Sequence, residues 1–374
     1  MTGRERLIAA LNRKPVDRLP WSLCMDRYYT DSLPAQGKPM DLLTTLRYFE
    51  NDIMERHVPV FKNVMQGVDI RTQDNHGHRC TVYETPVGSI EEHYTQTGQT
   101  WYLSKPMLCT IHDVKVYQWI VEHSRYEPTY EVFVDRDKLV GEDGLATPSG
   151  PLTPIQQLLQ HMMRIENTVY LLEDHPDEIM DLANAIHEHN LDAYRIMADS
   201  PAEVVFTYED TSTTVMSRDM YQNLSAPQLD EYADILHAGD KVFIVHMCGK
   251  LKGFSDEVGA GRMDGIDSLC PPTTGDFWAH EARACWGPQK IIIGGLEPPF
   301  LQRATVEQTV RYTVDVINCM APGDGFILSS GDAVSYGTPI ANLEAVTALV
   351  MRYGTLPLDG KINVDEALTI IRGR

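Results

Sequence analysis

Short runs of β-branched and other apolar residues recur along the chain. Each ends in a polar or glycine-rich turn, and most precede a longer stretch of helical periodicity. Leu19–Cys24 is the first run. Leu145–Thr147 precedes Pro151–Ile165, Glu203–Tyr208 precedes Ser217–Leu236, and Lys241–Val245 precedes a short helix near Phe254. Gly265–Leu269, Lys290–Ile293 and Gly325–Leu328 precede Gly275–Cys285, Val306–Met320 and Thr338–Tyr353 in the same way. Regular strand–helix alternation predicts an α/β fold whose parallel sheet has helical crossovers. A further strand near His57–Val60 brings the count to about eight, which points to a (β/α)8 TIM barrel. A doubly wound open sheet is the alternative, but no G-x-G-x-x-G or phosphate loop stands at a strand–helix junction to favour it.

One stretch breaks this rhythm. From Ile70 to Cys109 the chain is polar, with alternating segments at Thr81–Thr85 and Ser89–Thr95 around Pro86–Gly88, then Thr100–Leu103. The pattern predicts a β-rich insertion over about residues 70–110, either a lid or wall beside the barrel mouth or an excursion without function. Cys80 and Cys109 within it have no metal-type spacing. His76, His78, His112 and His161 fall at no strand end and read as surface or packing residues. No linker or internal repeat divides the chain, so residues 1–374 read as a single domain.

Composition narrows the function classes. The 374 residues are 43% apolar and 23% charged, enough for a large core. No apolar run approaches the ~20 residues of a membrane span. The net charge of −21 opposes binding to nucleic-acid backbones and anionic membranes. The N-terminal Met1–Arg6 lacks a signal-type apolar core, so a cytoplasmic protein is expected. Seven widely spaced cysteines are no disulfide framework; they read as free thiols, some of them candidates for metal binding.

In a barrel of this type chemistry lies where strands end and the following loops begin. His246 and Cys248, two residues apart after one apolar run, point to the same side. Cys270 follows the next run, and Asp332 follows the last. Imidazole, two thiolates and a carboxylate would make a tetrahedral zinc set. Taken singly, each has a plainer reading: a chance His-x-Cys, a packed thiol, a helix-capping aspartate. Their common placement at strand tops is what favours the metal. Glu209 and Asp210 end another run, where a carboxylate could serve as general acid or orient substrate, or simply cap the next helix. Asp26, Arg27 and Tyr28 follow the first run and are candidate pocket residues.

Arg4–Leu11 followed by Pro15–Trp21, Glu84–Gly88, Gly294–Pro298 and Gly337–Val346 resemble, in order, segments of the uroporphyrinogen decarboxylase superfamily over nearly the whole chain. The resemblance implies a TIM barrel. True decarboxylases of that family carry an Arg-Gln-Ala-Gly-Arg-like run after strand one, whereas this chain has Met25–Tyr29 with Arg27 as its only base. Its zinc methyltransferase branch is more similar: cobalamin-independent methionine synthase resembles the chain at His246–Cys248, with further ligands near Cys270 and Asp332. That branch implies zinc held by His246, Cys248, Cys270 and Asp332. It also implies methyl transfer from a small methylated, in particular methoxylated, compound to the corrinoid (cobalamin) of a partner protein. Transfer from methylcorrinoid to a thiol or pterin, a decarboxylase-like activity and a ligand-binding barrel remain the alternatives. A homodimer is left open.

Overall fold

The computed structural model describes residues 1–98 and 100–372. Its strands are β1 (Ile53–Glu55), β2 (Phe61–Met65), β3 (Asp69–Asn75), β4 (His78–Thr85), β5 (Gly88–Thr97), β6 (Thr100–Lys105), β7 (Ser124–Pro128), β8 (Gly144–Ala146), β9 (Val204–Glu209), β10 (Val242–Met247), β11 (Gly265–Leu269), β12 (Ile291–Leu296) and β13 (Phe326–Ser330). β9 to β13 form a parallel sheet in sequence order, with helices between successive strands. The fold is therefore mixed α/β. Val and Ile dominate the central strands because both faces of such a sheet are covered; β10, β11, β12 and β13 are buried throughout.

Strand alternation divides the apolar side chains into two layers. Val204, Phe206, Val242, Ile244, Ile291, Ile293 and Ile327 meet on one face, where Leu7, Ala10 and Leu11 of the helix Gly3–Leu11 close over them. Val205, Phe243, Val245, Ile292 and Leu328 pack on the other face against the crossover helices. Thr2 caps the helix Gly3–Leu11 through a reciprocal bond with Glu5. Arg6 on this helix pairs with the buried Asp52, which ties the helix to the chain entering β1.

The expected continuous eight-stranded ladder is not what the backbone hydrogen bonds form. Among the described residues β1 pairs only with β8, and isolated bridges (Trp21 with Leu328, Ser149 with Phe206) stand where further ladders were expected. The first segment explains part of this. Pro20 has no N–H to give. The Trp21 and Leu23 amides donate instead to side chains, Asp52 Oδ2 at 2.9 Å and Asn51 Oδ1 at 2.6 Å. The bond from Asp52 N–H to the Trp21 carbonyl, 2.7 Å, joins this segment to the chain entering β1.

β3, β4, β5 and β6 form a separate four-stranded antiparallel sheet, and β2 pairs antiparallel with β7. Ile90 of β5 is buried among Val114, Val116 and Ile120 of the helix Ile111–Glu122. Among the described residues no helix is long and apolar enough to cross a membrane.

Candidate metal centre

His246 lies on the same face of β10 as Val242 and Ile244, so alternation turns its ring toward the face closed by the Gly3–Leu11 helix. Ladder register sets Tyr208 of β9 on one side of it and Asp267 of β11 on the other. Asp267 Oδ2 lies 2.6 Å from Nδ1 of His246, which leaves Nε2 pointing to the strand tops. Asp267 is fully buried and paired with Arg56, whose guanidinium bonds both carboxylate oxygens. Burial pushes the Asp267 carboxyl up, but Arg56 and His246 outweigh it and hold it well below the usual carboxylate range.

A ring nitrogen of His246, Sγ of Cys248 and a carboxylate oxygen of Asp332 all lie within 4.8 Å of one another. The His246 Nε2 to Asp332 Oδ1 separation is 3.9 Å. Cys248 follows the end of β10, and the chain turns at once at Gly249, where φ is +106° and a Cβ would strike the Ser212 side chain at 2.6 Å. Asp332 follows Gly331 after β13 and also accepts the Ala333 amide at 2.7 Å. Asp210 Oδ1 is 4.0 Å from Cys248 Sγ. Burial, and then the charges of Asp332 and Asp210, push the Cys248 thiol up. Burial and the Asp332 charge likewise raise the Asp210 carboxyl. The Asp332 charge raises both the Cys248 thiol and the Asp210 carboxyl, and a dication would relieve that repulsion. The N, S and O donors fit zinc, whose four-coordinate sites carry ligand atoms roughly 3.3–3.8 Å apart.

The other expected site residues are placed differently. Cys270 stands outside the convergence. Its thiol packs beside Gly331, where a Cβ would lie 2.9 Å from Sγ, and burial and the Glu297 carboxylate push it up to about 12. Glu209 points to the opposite face of β9 from Tyr208, and Thr153 occupies both its oxygens: the amide at 2.7 Å and the hydroxyl at 2.8 Å. Strand alternation thus removes Glu209 from the mouth and leaves Asp210 there. Asp26 caps the short helix Arg27–Thr30. Arg27 is 88% exposed and pairs with Asp31. Tyr28 packs its ring against Tyr336, 5.2 Å between centroids, in the loop that follows Asp332.

Three features escaped the sequence. Asp267 and Arg56 sit inside or beside ordinary strands with no motif. His57, at φ +60°, stacks on Tyr208 at 4.2 Å, and Tyr208 in turn packs against His246. His161 lines a cleft of about 460 Å³ with Gln156, Gln160, Arg164 and Asp210. A π-helical turn at Leu158–Met162 shapes its wall, an irregularity that no residue pattern announces. Arg164 lies over the Tyr102 ring of β6 at 5.0 Å, so the antiparallel sheet reaches the edge of this cleft.

Comparison with known proteins bears on the whole arrangement. A methyltransferase from Methanosarcina mazei superposes with a TM-score of 0.64 at 14% identity, covering 94% of this chain and 99% of its own. D-psicose 3-epimerase from Clostridium cellulolyticum H10 gives a TM-score of 0.33 at 12% identity, over 66% of this chain and 84% of its own. The first likeness describes the fold; the second is too distant to describe anything. No curated protein matches the chain. Residues 134–353, more than half of the chain and including every residue of the convergent trio, match the uroporphyrinogen decarboxylase (URO-D) family, and the protein belongs to that family.

Proposed function

We propose that this chain is a zinc-dependent methyltransferase on a (β/α)8 barrel, moving a methyl group from a small methoxylated or similar donor to a partner corrinoid protein. The observation that carries the reading is the convergence of His246, Cys248 and Asp332, with the imidazole anchored by a buried carboxylate. Three protein ligands leave one tetrahedral position for a substrate atom, as in catalytic rather than structural zinc sites. The overlap with a methyltransferase fold over 94% of the chain supports the barrel and is compatible with the reaction class.

Bound there, zinc would act as a Lewis acid on the donor oxygen whose bond to methyl breaks. The chain's own residues do the rest. Asp267 fixes the His246 tautomer, so that Nε2 presents its lone pair to the mouth. Asp210 keeps its proton to higher pH than an ordinary aspartate. It can pass that proton to the donor oxygen, which retains the bonding pair as methyl departs. Gln156, Gln160 and His161 line the adjoining cleft and can orient the rest of the donor. The acidic cluster of Asp210 and Asp332 is poorly suited to a polycarboxylate, and the exposed Arg27 does not compensate it. This disfavours decarboxylation of a tetrapyrrole acid.

The test is formation of methylcobalamin from cob(I)alamin and a panel of methoxylated donors, followed by absorbance. Cys248→Ser should lose zinc and turnover together while remaining folded. Full zinc occupancy in that variant would rule out the site. Methyl transfer from methylcobalamin to a thiol, without reaction of any methoxylated donor, would reverse the direction assigned here.

A further inference from the structure

The antiparallel sheet carries a second convergence of metal-type atoms, far in sequence from the first. Cys80 of β4 and His93 of β5 are direct cross-strand partners. Glu91 precedes His93 by two residues and so shares its face. Cys80 Sγ lies 3.5 Å from His93 Nε2, and Glu91 Oε1 lies 3.2 Å from the same nitrogen. All three ligand atoms are within 4.8 Å of one another. Zinc bonds of about 2.0–2.3 Å in a tetrahedron set N–O and N–S edges at roughly 3.3–3.6 Å. The observed pair distances fall close to those edges.

The geometry also separates two chemistries open to a cysteine, a histidine and a glutamate. A nucleophile–base–orienter series places the thiol on one ring nitrogen and the carboxylate on the other. Here both crowd Nε2. The three groups converge on one point in space and do not form a relay. Lys105, opposite His93 on β6, donates to Glu91 Oε1 at 2.6 Å. Its side chain is 43% exposed and free to swing into solvent. It is a cation that a metal ion would displace or outcompete.

We propose that Cys80, Glu91 and His93 form a second binding site for a thiophilic divalent cation, zinc in particular, on the face of this sheet, with water completing the shell. Sulfur and imidazole donors select zinc over magnesium or calcium. The Glu91 and His93 side chains are each 41% exposed, so an ion can enter without local unfolding. Binding joins β4 to β5 and favours the folded sheet by mass action. Nothing in this assignment depends on the reaction proposed for the mouth. Along the chain Cys80 has His78 two residues before it, but His78 Nδ1 bonds the Thr95 hydroxyl and stays outside the cluster; strand pairing supplies Glu91 and His93 instead.

The experiment is a Co²⁺ titration of full-length, metal-stripped protein in a Cys248→Ala background, which removes the mouth thiolate. One equivalent should bind with a thiolate-to-cobalt charge-transfer band. That band should vanish when Cys80→Ala is added. Adding His93→Gln should weaken binding by about tenfold or more, since losing even an outer-shell partner costs 10–100-fold. Adding Lys105→Gln should tighten binding by removing the competing cation. Circular dichroism checks that each variant is folded. Absence of the band in Cys248→Ala, or its persistence without Cys80, overturns the proposal.

Discussion

Glu209 and Asp210 are chain neighbours in opposite surroundings. The Glu209 carboxyl is pushed up to about 7, chiefly by burial, against which its two bonds from Thr153 act. In the unfolded chain it titrates near ~4.3. Between those values the folded state binds more protons than the unfolded state, so stability falls as pH rises through this window; the full loss is reached above about 7. A glutamine copies the protonated form: its oxygen accepts the Thr153 amide and its NH₂ donates to the Thr153 hydroxyl. Glu209→Gln should therefore resist denaturant better than wild type at pH 8 and about equally near pH 5. Lower stability at pH 8 would mean that Thr153 requires the ionised carboxylate. Turnover by this variant should change by less than about tenfold, whereas Asp210→Asn should slow oxygen donors by about 10²–10⁴-fold, the scale of a lost general acid. The sequence shows two acids at a strand end. Which of them faces the mouth depends on where the alternation is anchored, and the position of Tyr208 against His246 in the folded sheet sets that.

At the level of elements, His246 and Cys248 stand at the end of one apolar run and Asp332 a few residues past another, which is what marks them as candidates in the sequence. Cys270 directly follows another such run, yet the structure leaves it outside the trio. β11 bulges between Ile266 and Leu269, and Ser268 takes a left-handed φ of +69°. The bulge re-aims the residues after it, and the Cys270 thiol packs against Gly331 instead of joining the trio. Asp267 was invisible, being one polar letter inside Gly265–Leu269, and Arg56 lies more than two hundred positions earlier in the chain. Strand register joins Asp267 to His246, and a side-chain ion pair joins Arg56 to Asp267. Removing one member of this buried pair leaves the other charge unpaired, so Asp267→Leu should cost about 3–5 kcal/mol of unfolding free energy. The double variant Arg56→Met/Asp267→Leu should recover much of that loss in denaturant melts. Its zinc affinity should still be down by about 10–100-fold, because His246 has lost its anchor. Recovery of both stability and affinity would reduce the pair to packing.

Across the whole molecule, hydrophobic patterning found the parallel sheet because β9 to β13 are made of Val- and Ile-rich runs that helices must cover. It could not show that Asp52 and Asn51 side chains would take the amides of the first segment, since a hydrogen-bond partner leaves no mark in periodicity. The same division between apolar frame and polar rim governs stability. Leu7 and Leu11 are fully buried against Phe206, Ile244, Ile293 and Ile327, whereas Cys248 and Asp332 lie at loop positions beyond strand ends, in contact with solvent. Leu11→Ala opens a cavity in a layer that cannot collapse around it, and should cost about 2–5 kcal/mol in urea unfolding. On the proposed zinc reading, chelating metal from the wild-type protein would remove ligand bonds at the rim but no apolar contact of that layer. Its unfolding midpoint should move only by the mass-action term for the ion, and its near-ultraviolet circular dichroism should remain that of a packed core. If chelation instead abolishes the near-ultraviolet signal, the rim is structural, and the open ligand position argued for at the mouth is lost with it.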